Sequence, residues 1–120
     1  MNSTARNRPV LIIEDEPAAL EAMCEIFRSQ GYLVAAANDG RKGLEYLRSG
    51  LSPRVIILDL RMPGMDGWQF KDCLRQNPAF VNIPVVIVTA LPQRAPADVA
   101  ATFKKPVNIP ALLQTVARYC

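Results

Sequence analysis

The sequence contains no histidine, few aromatic residues and no long apolar segment. Among its 120 residues are one Trp, three Tyr and four Phe. The lack of histidine excludes a Ser-His-Asp or Cys-His catalytic site, a histidine metal ligand and a phosphohistidine carried by this chain. No apolar stretch approaches the length of a membrane span, and no signal segment opens the chain. We therefore expect a cytoplasmic protein with no membrane partner.

Cysteine and net charge are also low. The three cysteines, Cys24, Cys73 and Cys120, are an odd number without metal-ligand spacing, so we interpret them as reduced thiols. The formal net charge is +3, and the basic residues are scattered along the chain. A nucleic-acid-binding surface would need clustered basic residues with stacking aromatics. We therefore expect no nucleic acid partner.

The apolar residues that are present are sufficient for one domain. Half of the chain is hydrophobic, which can fill a single core. We predict a disordered polar tail over residues 1–8 and one domain over residues 9–120. Continuous apolar runs at residues 10–13, 55–58 and 85–88 are typical of parallel strands buried on both faces.

Strand and helix signals alternate along the chain, which predicts an α/β fold with a parallel sheet. Weaker strands are predicted over residues 32–36 and 101–104. The predicted helices cover residues 17–29, the stretch from the cap Asn38 or Asp39 to Gly50, residues 68–76 and the stretch after the cap Asn108. Between Thr89 and Lys105 the chain contains two prolines and has room for only a short helix.

Reactive side chains follow the predicted strands. Glu14 and Asp15 follow the first strand, Asp59 ends the third, Thr89 ends the fourth and Lys105 follows the fifth. Because the carboxyl ends of parallel strands open onto one crevice, we expect these side chains to meet. Clustered carboxylates repel one another unless a cation binds or their pKa values rise, and hard oxygen ligands suit Mg²⁺. The pattern predicts a site for a divalent cation and a phosphoryl group.

Four segments resemble, in order, the receiver domain of two-component response regulators. They are VLIIEDEP at residues 10–17, LDLRMPGMDG at residues 58–67, Thr89-Ala90 and Lys105-Pro106. The resemblance covers the chain from Val10 onward. It implies a flavodoxin-like, doubly wound sheet of five parallel strands in the order 2-1-3-4-5, with about five helices of which the fourth is short or vestigial.

The resemblance also implies a role for each acidic residue. Asp59 corresponds to the phosphoacceptor, a carboxylate nucleophile that forms an aspartyl phosphate. Asp15 and Asp59 are expected to bind Mg²⁺ directly, together with the backbone carbonyl of Arg61. Glu14 is expected to act on the metal through water.

The remaining implied roles concern the phosphoryl group and its donor. Lys105 corresponds to the lysine that pairs with a phosphoryl oxygen, and Thr89 to the hydroxyl that turns inward to bond it. The donor would be a histidine kinase or a histidine phosphotransfer protein. The chain would catalyse only its own phosphorylation and dephosphorylation, and would signal by protein–protein contact as a free-standing monomer or weak homodimer.

The sequence departs from the family pattern near the fifth strand. The interval from Thr89 to Lys105 is shorter than usual, and Thr102 stands where an aromatic residue is common. Phe103 should face the opposite side of the strand. We expect residues 91–100 to have few apolar anchors and to become ordered on phosphorylation.

Three other classes of protein fit the sequence less well. A receiver fold that only binds a partner would not need Asp59, Thr89 and Lys105. A phosphatase with an aspartate nucleophile usually has a second acid two residues later, where this chain has Arg61. A flavin- or dinucleotide-binding protein would need a glycine-rich or hydroxyl-rich loop after the first strand, whereas the acidic residues 14–16 would repel an anion.

Overall fold

Five parallel strands form the centre of the structure, a computed structural model that describes residues 8–119. The strands are β1 (Val10–Ile13), β2 (Val34–Ala37), β3 (Val55–Asp59), β4 (Val85–Thr89) and β5 (Ala101–Lys104). Their order in the sheet is β2-β1-β3-β4-β5, and every neighbouring pair is parallel. The predicted flavodoxin-like topology is confirmed.

Four α-helices occur within the described residues. They are α1 (Pro17–Ser29), α2 (Gly40–Arg48), α3 (Gly67–Arg75) and α4 (Ile109–Val116). Each begins after a residue whose side chain accepts a hydrogen bond from a backbone amide of the first turn, which satisfies a donor that the helix itself cannot. These caps are Glu16, Asp39, Asp66 and Asn108. The predicted cap Asn108 is confirmed, and of the two candidates Asn38 and Asp39 the cap is Asp39.

Two predicted element boundaries are displaced by local contacts. β2 begins at Val34 rather than at residue 32, because Tyr32 is used to end α1. The Tyr32 amide donates to the carbonyl of Phe27, and the two rings pack edge to face with centroids 5.6 Å apart. α3 begins one residue before the prediction, at Gly67, because Asp66 and Gln69 form a reciprocal capping box there.

The helices cover both faces of the sheet and bury its three central strands completely. On one face, alternate strand residues pack against α2 and α3 around Phe70. On the other face, the intervening strand residues pack against α1 and α4 around Phe27. This burial on both sides explains why β1, β3 and β4 are continuous apolar runs.

The connection between β4 and β5 has the predicted short form. Its only helical turn is a 3₁₀ turn, Pro92–Arg94, so the expectation of a vestigial fourth helix is confirmed. In β5 the side chain of Thr102 is exposed, whereas Phe103 packs into the cluster beneath α1 and α4. Phe103 therefore faces away from the side that an aromatic residue at position 102 would occupy.

Residues 91–100 contain no fully buried side chain, as the expected lack of apolar anchors implies, but polar contacts that the sequence did not indicate also hold them. Ala95 and Val99 pack against the apolar cluster beneath α2 and α3. The indole Nε1 of Trp68 donates to the carbonyl of Arg94 at 2.9 Å, and Asp98 forms ion pairs with α3. The segment is thus held on α3 by contacts with residues far away in the sequence.

The ends of the chain are described only in part. The predicted tail lies outside the described residues except for Arg8, whose guanidinium donates to the carbonyls of Ser52 at 3.1 Å and Pro53 at 2.8 Å. Cys120 also lies outside them, whereas Cys24 on α1 and Cys73 on α3 are free thiols. Within residues 8–119, none of the helices has the length and apolar character to span a bilayer.

Candidate functional site

The sheet topology places the predicted reactive residues at one edge. β1 and β3 are neighbours with Ile13 opposite Leu58, so the next residues, Glu14 and Asp59, lie side by side at the carboxyl edge of the sheet. The amide of Lys105 donates to the carbonyl of Thr89 at 2.8 Å, which continues the pairing of β5 with β4 past its last residue. Parallel pairing of neighbouring strands therefore brings residues from the ends of four strands, β1, β3, β4 and β5, to one crevice.

Three carboxylates form an acidic cluster in this crevice. Glu14, Asp15 and Asp59 each provide one oxygen, and these oxygens all lie within 4.8 Å of one another. Asp59 is buried, and Glu14 and Asp15 are half-buried. Backbone amides orient two of the carboxylates: the amide of Glu16 donates to Glu14 at 3.1 Å and the amide of Arg61 donates to Asp59 at 3.3 Å.

Lys105 lies between two of the carboxylates. Its ammonium donates to Oε1 of Glu14 at 3.1 Å and to Oδ2 of Asp59 at 3.2 Å. One positive charge thus offsets part of the repulsion within the cluster. Because three acids face one base, the crevice keeps an excess of negative charge when all four groups are ionised.

The pKa values of Glu14 and Lys105 are both raised in this crevice. Burial raises the pKa of the Glu14 carboxyl above its ordinary value, and the nearby Asp59 charge raises it further, although hydrogen bonds from Glu16 and Lys105 oppose the change. Burial opposes the charge on Lys105, but hydrogen bonds to Glu14 and attraction to Asp59 outweigh it, so the pKa of Lys105 is raised. The site therefore favours an added cation, which would remove the cost of the excess charge.

Thr89 lies at the end of β4, beside the strand that carries Asp59. Asp59 is paired with Val88 in the sheet, so Thr89 follows the residue that lies directly opposite Asp59. The Thr89 side chain is buried, and its Oγ1 accepts a hydrogen bond from the amide of Leu91 at 3.1 Å. Since that bond uses an oxygen lone pair, the hydroxyl proton remains available to an acceptor.

The loop after Asp59 is shaped by glycine. Gly64 has a φ of +74°, which strains residues that have a Cβ. A Cβ at Gly67 would lie 2.7 Å from the Cα of Leu60, and the amide of Gly67 donates to the Leu60 carbonyl at 2.9 Å. The loop thereby closes tightly beside Asp59. Arg61 is exposed in this loop, and the role of its carbonyl as a metal ligand stays a prediction.

A small cavity that the sequence did not indicate adjoins the acidic cluster. It has a volume of about 210 Å³ and is bounded by Glu14, Asp59 and Lys105 on its polar side. Its other walls are mostly apolar, and include Met23 of α1 and Val107. The sequence did not indicate Met23 as a cavity residue, because helical periodicity does not show that a strand-end crevice lies beside this face of α1.

Comparison with known proteins gives one family. The model of the response regulator receiver domain matches residues 10–117. The transcriptional regulatory protein HprR of Escherichia coli is 40% identical over 81 residues, which cover 68% of this chain and 34% of HprR. The polar-differentiation response regulator DivK of Brucella anthropi is 23% identical over 118 residues, which cover 93% of this chain and 95% of DivK.

Solved structures agree with the sequence comparisons. The chemotaxis protein CheY4 of Vibrio cholerae superimposes with a TM-score of 0.80 at 26% identity, covering 93% of this chain and 98% of CheY4. The signal receiver domain of a signal transduction histidine kinase from Syntrophus aciditrophicus gives a TM-score of 0.81 at 29% identity, covering 92% of this chain and 88% of that one.

Several relatives are much longer than this chain. A hybrid signal transduction histidine kinase of Dictyostelium discoideum is 38% identical over 85 residues, which are 70% of this chain but 5% of the kinase. The chain thus corresponds to about a third or less of the length of HprR and of this kinase. The match over residues 10–117 shows that the chain belongs to the receiver domain family, whose members are the signalling phosphoacceptors of two-component systems.

Proposed function

We propose that this chain accepts a phosphoryl group on Asp59 from the phosphohistidine of a histidine kinase or a histidine phosphotransfer protein. The observation that supports this most strongly is the juxtaposition of the buried Asp59 with two further carboxylates and one ammonium. A nucleophilic carboxylate beside a cation site and a positive side chain is what phosphoryl transfer to aspartate requires.

The acidic cluster fits Mg²⁺. Receiver domains bind this ion at an acidic pocket, and the donors here are hard oxygen atoms without any sulfur or imidazole nitrogen in the described cluster. Asp15 and Asp59 would hold the ion directly, the carbonyl of Arg61 would add a ligand and Glu14 would bind through water. When bound, Mg²⁺ supplies positive charge that neutralises the attacking carboxylate and the phosphoryl oxygens.

The residues of the chain would then act in a simple displacement. An oxygen of Asp59 forms a bond to phosphorus while the bond from phosphorus to the donor imidazole nitrogen breaks, and that nitrogen keeps the electron pair. The ammonium of Lys105, which bonds Asp59 in the structure, can offer its hydrogens to a phosphoryl oxygen instead. The hydroxyl of Thr89 can donate its proton in a second hydrogen bond. Attack by water on the same phosphorus would return the carboxylate.

The partners and the location belong to the same proposal. The output would be a protein–protein contact made by a monomer or a weak homodimer, without nucleic acid and without a membrane. The DNA-binding activity named for some relatives cannot be transferred, because this chain matches only about a third of their length. A cytoplasmic location follows from the donor, since a kinase makes its phosphohistidine from ATP, which is held inside the cell.

Mass spectrometry after incubation with acetyl phosphate tests the proposal. With Mg²⁺ the intact protein should gain the mass of one phosphoryl group, and chelation of the metal should prevent the gain. Asp59→Asn should abolish it. Asp66→Asn is the matched control, since Asp66 lies in the same loop but outside the acidic cluster, and asparagine can still cap α3. If wild-type protein with Mg²⁺ takes no label, the chain is instead a receiver fold that binds partners without phosphate.

A further inference from the structure

Asp98 joins the β4–β5 connection to α3 through three hydrogen bonds. Its carboxylate accepts from Nζ of Lys71 at 3.3 Å, from Nε of Arg75 at 2.8 Å and from Nη2 of Arg75 at 2.7 Å. Lys71 is only 5% exposed, whereas the Asp98 side chain is 52% exposed, so a carboxylate at the surface compensates an ammonium that is otherwise buried. The hydrogen bond from Arg75 and the charge of Lys71 hold the pKa of Asp98 well below its usual range.

The connection is attached at further points along its length. The Trp68 indole bonds the carbonyl of Arg94, and the amide of Ala100 donates to the carbonyl of Val85 at 2.8 Å. The contacts of Asp98 and Arg94 therefore attach the connection to α3, and the contact of Ala100 attaches it to β4. We call residues 91–100 with these attachments the strap.

The first residue of the strap is bonded to the candidate site. Leu91 donates its amide hydrogen to Oγ1 of Thr89, the hydroxyl proposed to contact the phosphoryl group. Any shift of Thr89 toward an anion on Asp59 has to stretch this bond or pull Leu91 with it. Because the strap is held on α3, such a pull acts against the bonds of Asp98.

We propose that Asp98 is a latch that holds the strap in its anion-free position on α3 and thereby opposes the movement of Thr89. The coupling to Thr89 rests on the proposed phosphorylation, whereas the holding of the strap does not. Phosphorylation would then loosen the strap from α3, so that the surface formed by α3 and the strap is the part of the molecule that changes. On this proposal residues 91–100 lose contacts on phosphorylation, whereas the sequence predicted that they become ordered.

The latch can be tested with two variants that make the same change of charge. Asp98→Asn removes the carboxylate that reaches both Lys71 and Arg75. Asp72→Asn is the matched control, because Asp72 pairs with Arg75 within α3 and does not touch the strap. Arg75→Gln is a second test variant that leaves Lys71 paired with Asp98 while removing the two shorter bonds.

Hydrogen exchange on the anion-free protein tests the holding of the strap. In Asp98→Asn the amides of residues 91–100 should exchange about two to five times faster than in wild type, the range that partly exposed ion pairs produce. Arg75→Gln should show an increase in the same segment, and Asp72→Asn should show none. Equal exchange in Asp98→Asn and Asp72→Asn would overturn the latch.

Beryllofluoride binding with Mg²⁺ tests the coupling. If the latch opposes the movement of Thr89, its loss should tighten beryllofluoride binding by about two- to fivefold in Asp98→Asn and leave Asp72→Asn unchanged. Faster exchange with unchanged binding would overturn the coupling. A wild-type protein that does not bind beryllofluoride would overturn the proposed phosphorylation, and the exchange comparison would then decide the latch by itself.

Discussion

At the scale of single residues, the acidic cluster of the candidate site reduces the stability of the metal-free protein. Three carboxylates are held close together at the end of the sheet, and only Lys105 offsets their charge among the described contacts. Charge repulsion of this kind destabilises the folded protein until a cation or a proton relieves it. Substitutions here should therefore have opposite effects on stability and on metal binding.

Glu14→Gln should stabilise the metal-free protein at neutral pH, because it removes one negative charge from the cluster. The gain should be only about 0.5–1 kcal/mol, since Glu14 is half-buried and water partly screens its charge. Because burial raises the pKa of Glu14 in the folded state, its ionisation costs stability as the pH rises through and above its ordinary value of 4.5. The gain should therefore vanish at pH values below 4.5. Urea unfolding at both pH values measures it, and a less stable variant at neutral pH would contradict the argument.

Lys105→Ala should reduce the stability of the metal-free protein and increase the stabilisation that Mg²⁺ provides. The ammonium forms ion pairs with two carboxylates, so without it only a bound metal ion can offset the repulsion between them. Since the pKa of Lys105 is raised, its contribution is present below pH 10.5 for as long as its carboxylate partners are ionised, and it is lost as the pH rises through the raised value. Thermal unfolding with and without Mg²⁺ checks this.

Lys104→Ala provides the control for that experiment. Lys104 is the neighbouring residue at the end of β5 and is exposed. It should behave like wild type with and without Mg²⁺. Equal responses of the two variants would mean that Lys105 does not offset the charge of the cluster.

At the scale of secondary-structure elements, short loops determine which side chains lie at the strand ends and where the next helix begins. The loop from Asp59 to α3 must turn back within a few residues, and it does so with Gly67 pressed against Leu60. The capping box of Asp66 and Gln69 then starts α3 immediately. The local sequence therefore specifies both the position of Asp59 and the direction of the helix that carries Trp68.

Gly67→Ala should disturb this loop and weaken Mg²⁺ binding. An added Cβ would lie 2.7 Å from the Cα of Leu60 and 2.8 Å from the carbonyl oxygen of Asp59, so the backbone has to move. We expect a loss of about 1–3 kcal/mol in the free energy of unfolding. Isothermal titration with Mg²⁺ and urea unfolding measure the two effects.

Gly50→Ala separates steric contact from backbone strain. Gly50 has a φ of +107°, but an added Cβ would meet nothing within 4 Å. This variant should lose about 1 kcal/mol from strain alone and bind Mg²⁺ as wild type does. Weaker Mg²⁺ binding in Gly50→Ala as well would show that the effect of Gly67→Ala does not come from the loop beside Asp59.

At the scale of the whole molecule, the sheet is stable because helices close both of its faces. α4 has two buried residues, Leu112 and Val116, and covers β-strand residues that would otherwise be open to water. The site depends on this closure, since Lys105 enters it from the chain between β5 and α4. Damage to the core beneath α4 should therefore reduce the stability of the whole domain.

Leu112→Ala should reduce the free energy of unfolding by about 2–5 kcal/mol, because Leu112 is fully buried and its truncation leaves a cavity. That is a large part of the roughly 5–15 kcal/mol that stabilises a domain. Leu113→Ala, on the same helix but only half-buried, should cost less. Urea unfolding compares the two, and equal losses would contradict the packing described for α4.

The sequence by itself predicted most of the elements and the residues of the candidate site. Continuous apolar runs and side-chain caps act within a few residues, so β1, β3, β4 and the caps Asp39 and Asn108 could be predicted locally. The motif around Asp59 then indicated a shared crevice, because parallel strands have their carboxyl ends at one edge. No comparable local signal marked Asp98 or the cavity beside the acidic cluster.

Only the tertiary structure decided how the β4–β5 connection is held. Asp98 is 27 residues from Lys71 and 23 from Arg75 in the sequence, so their pairing depends on how α3 and the strap pack on the sheet. Tyr32 is similar on a smaller scale, since a contact with Phe27 overrides its preference for a strand. Propensity and periodicity describe neighbours along the chain, whereas charge pairing and cavities depend on distances in space that arise only when the elements pack.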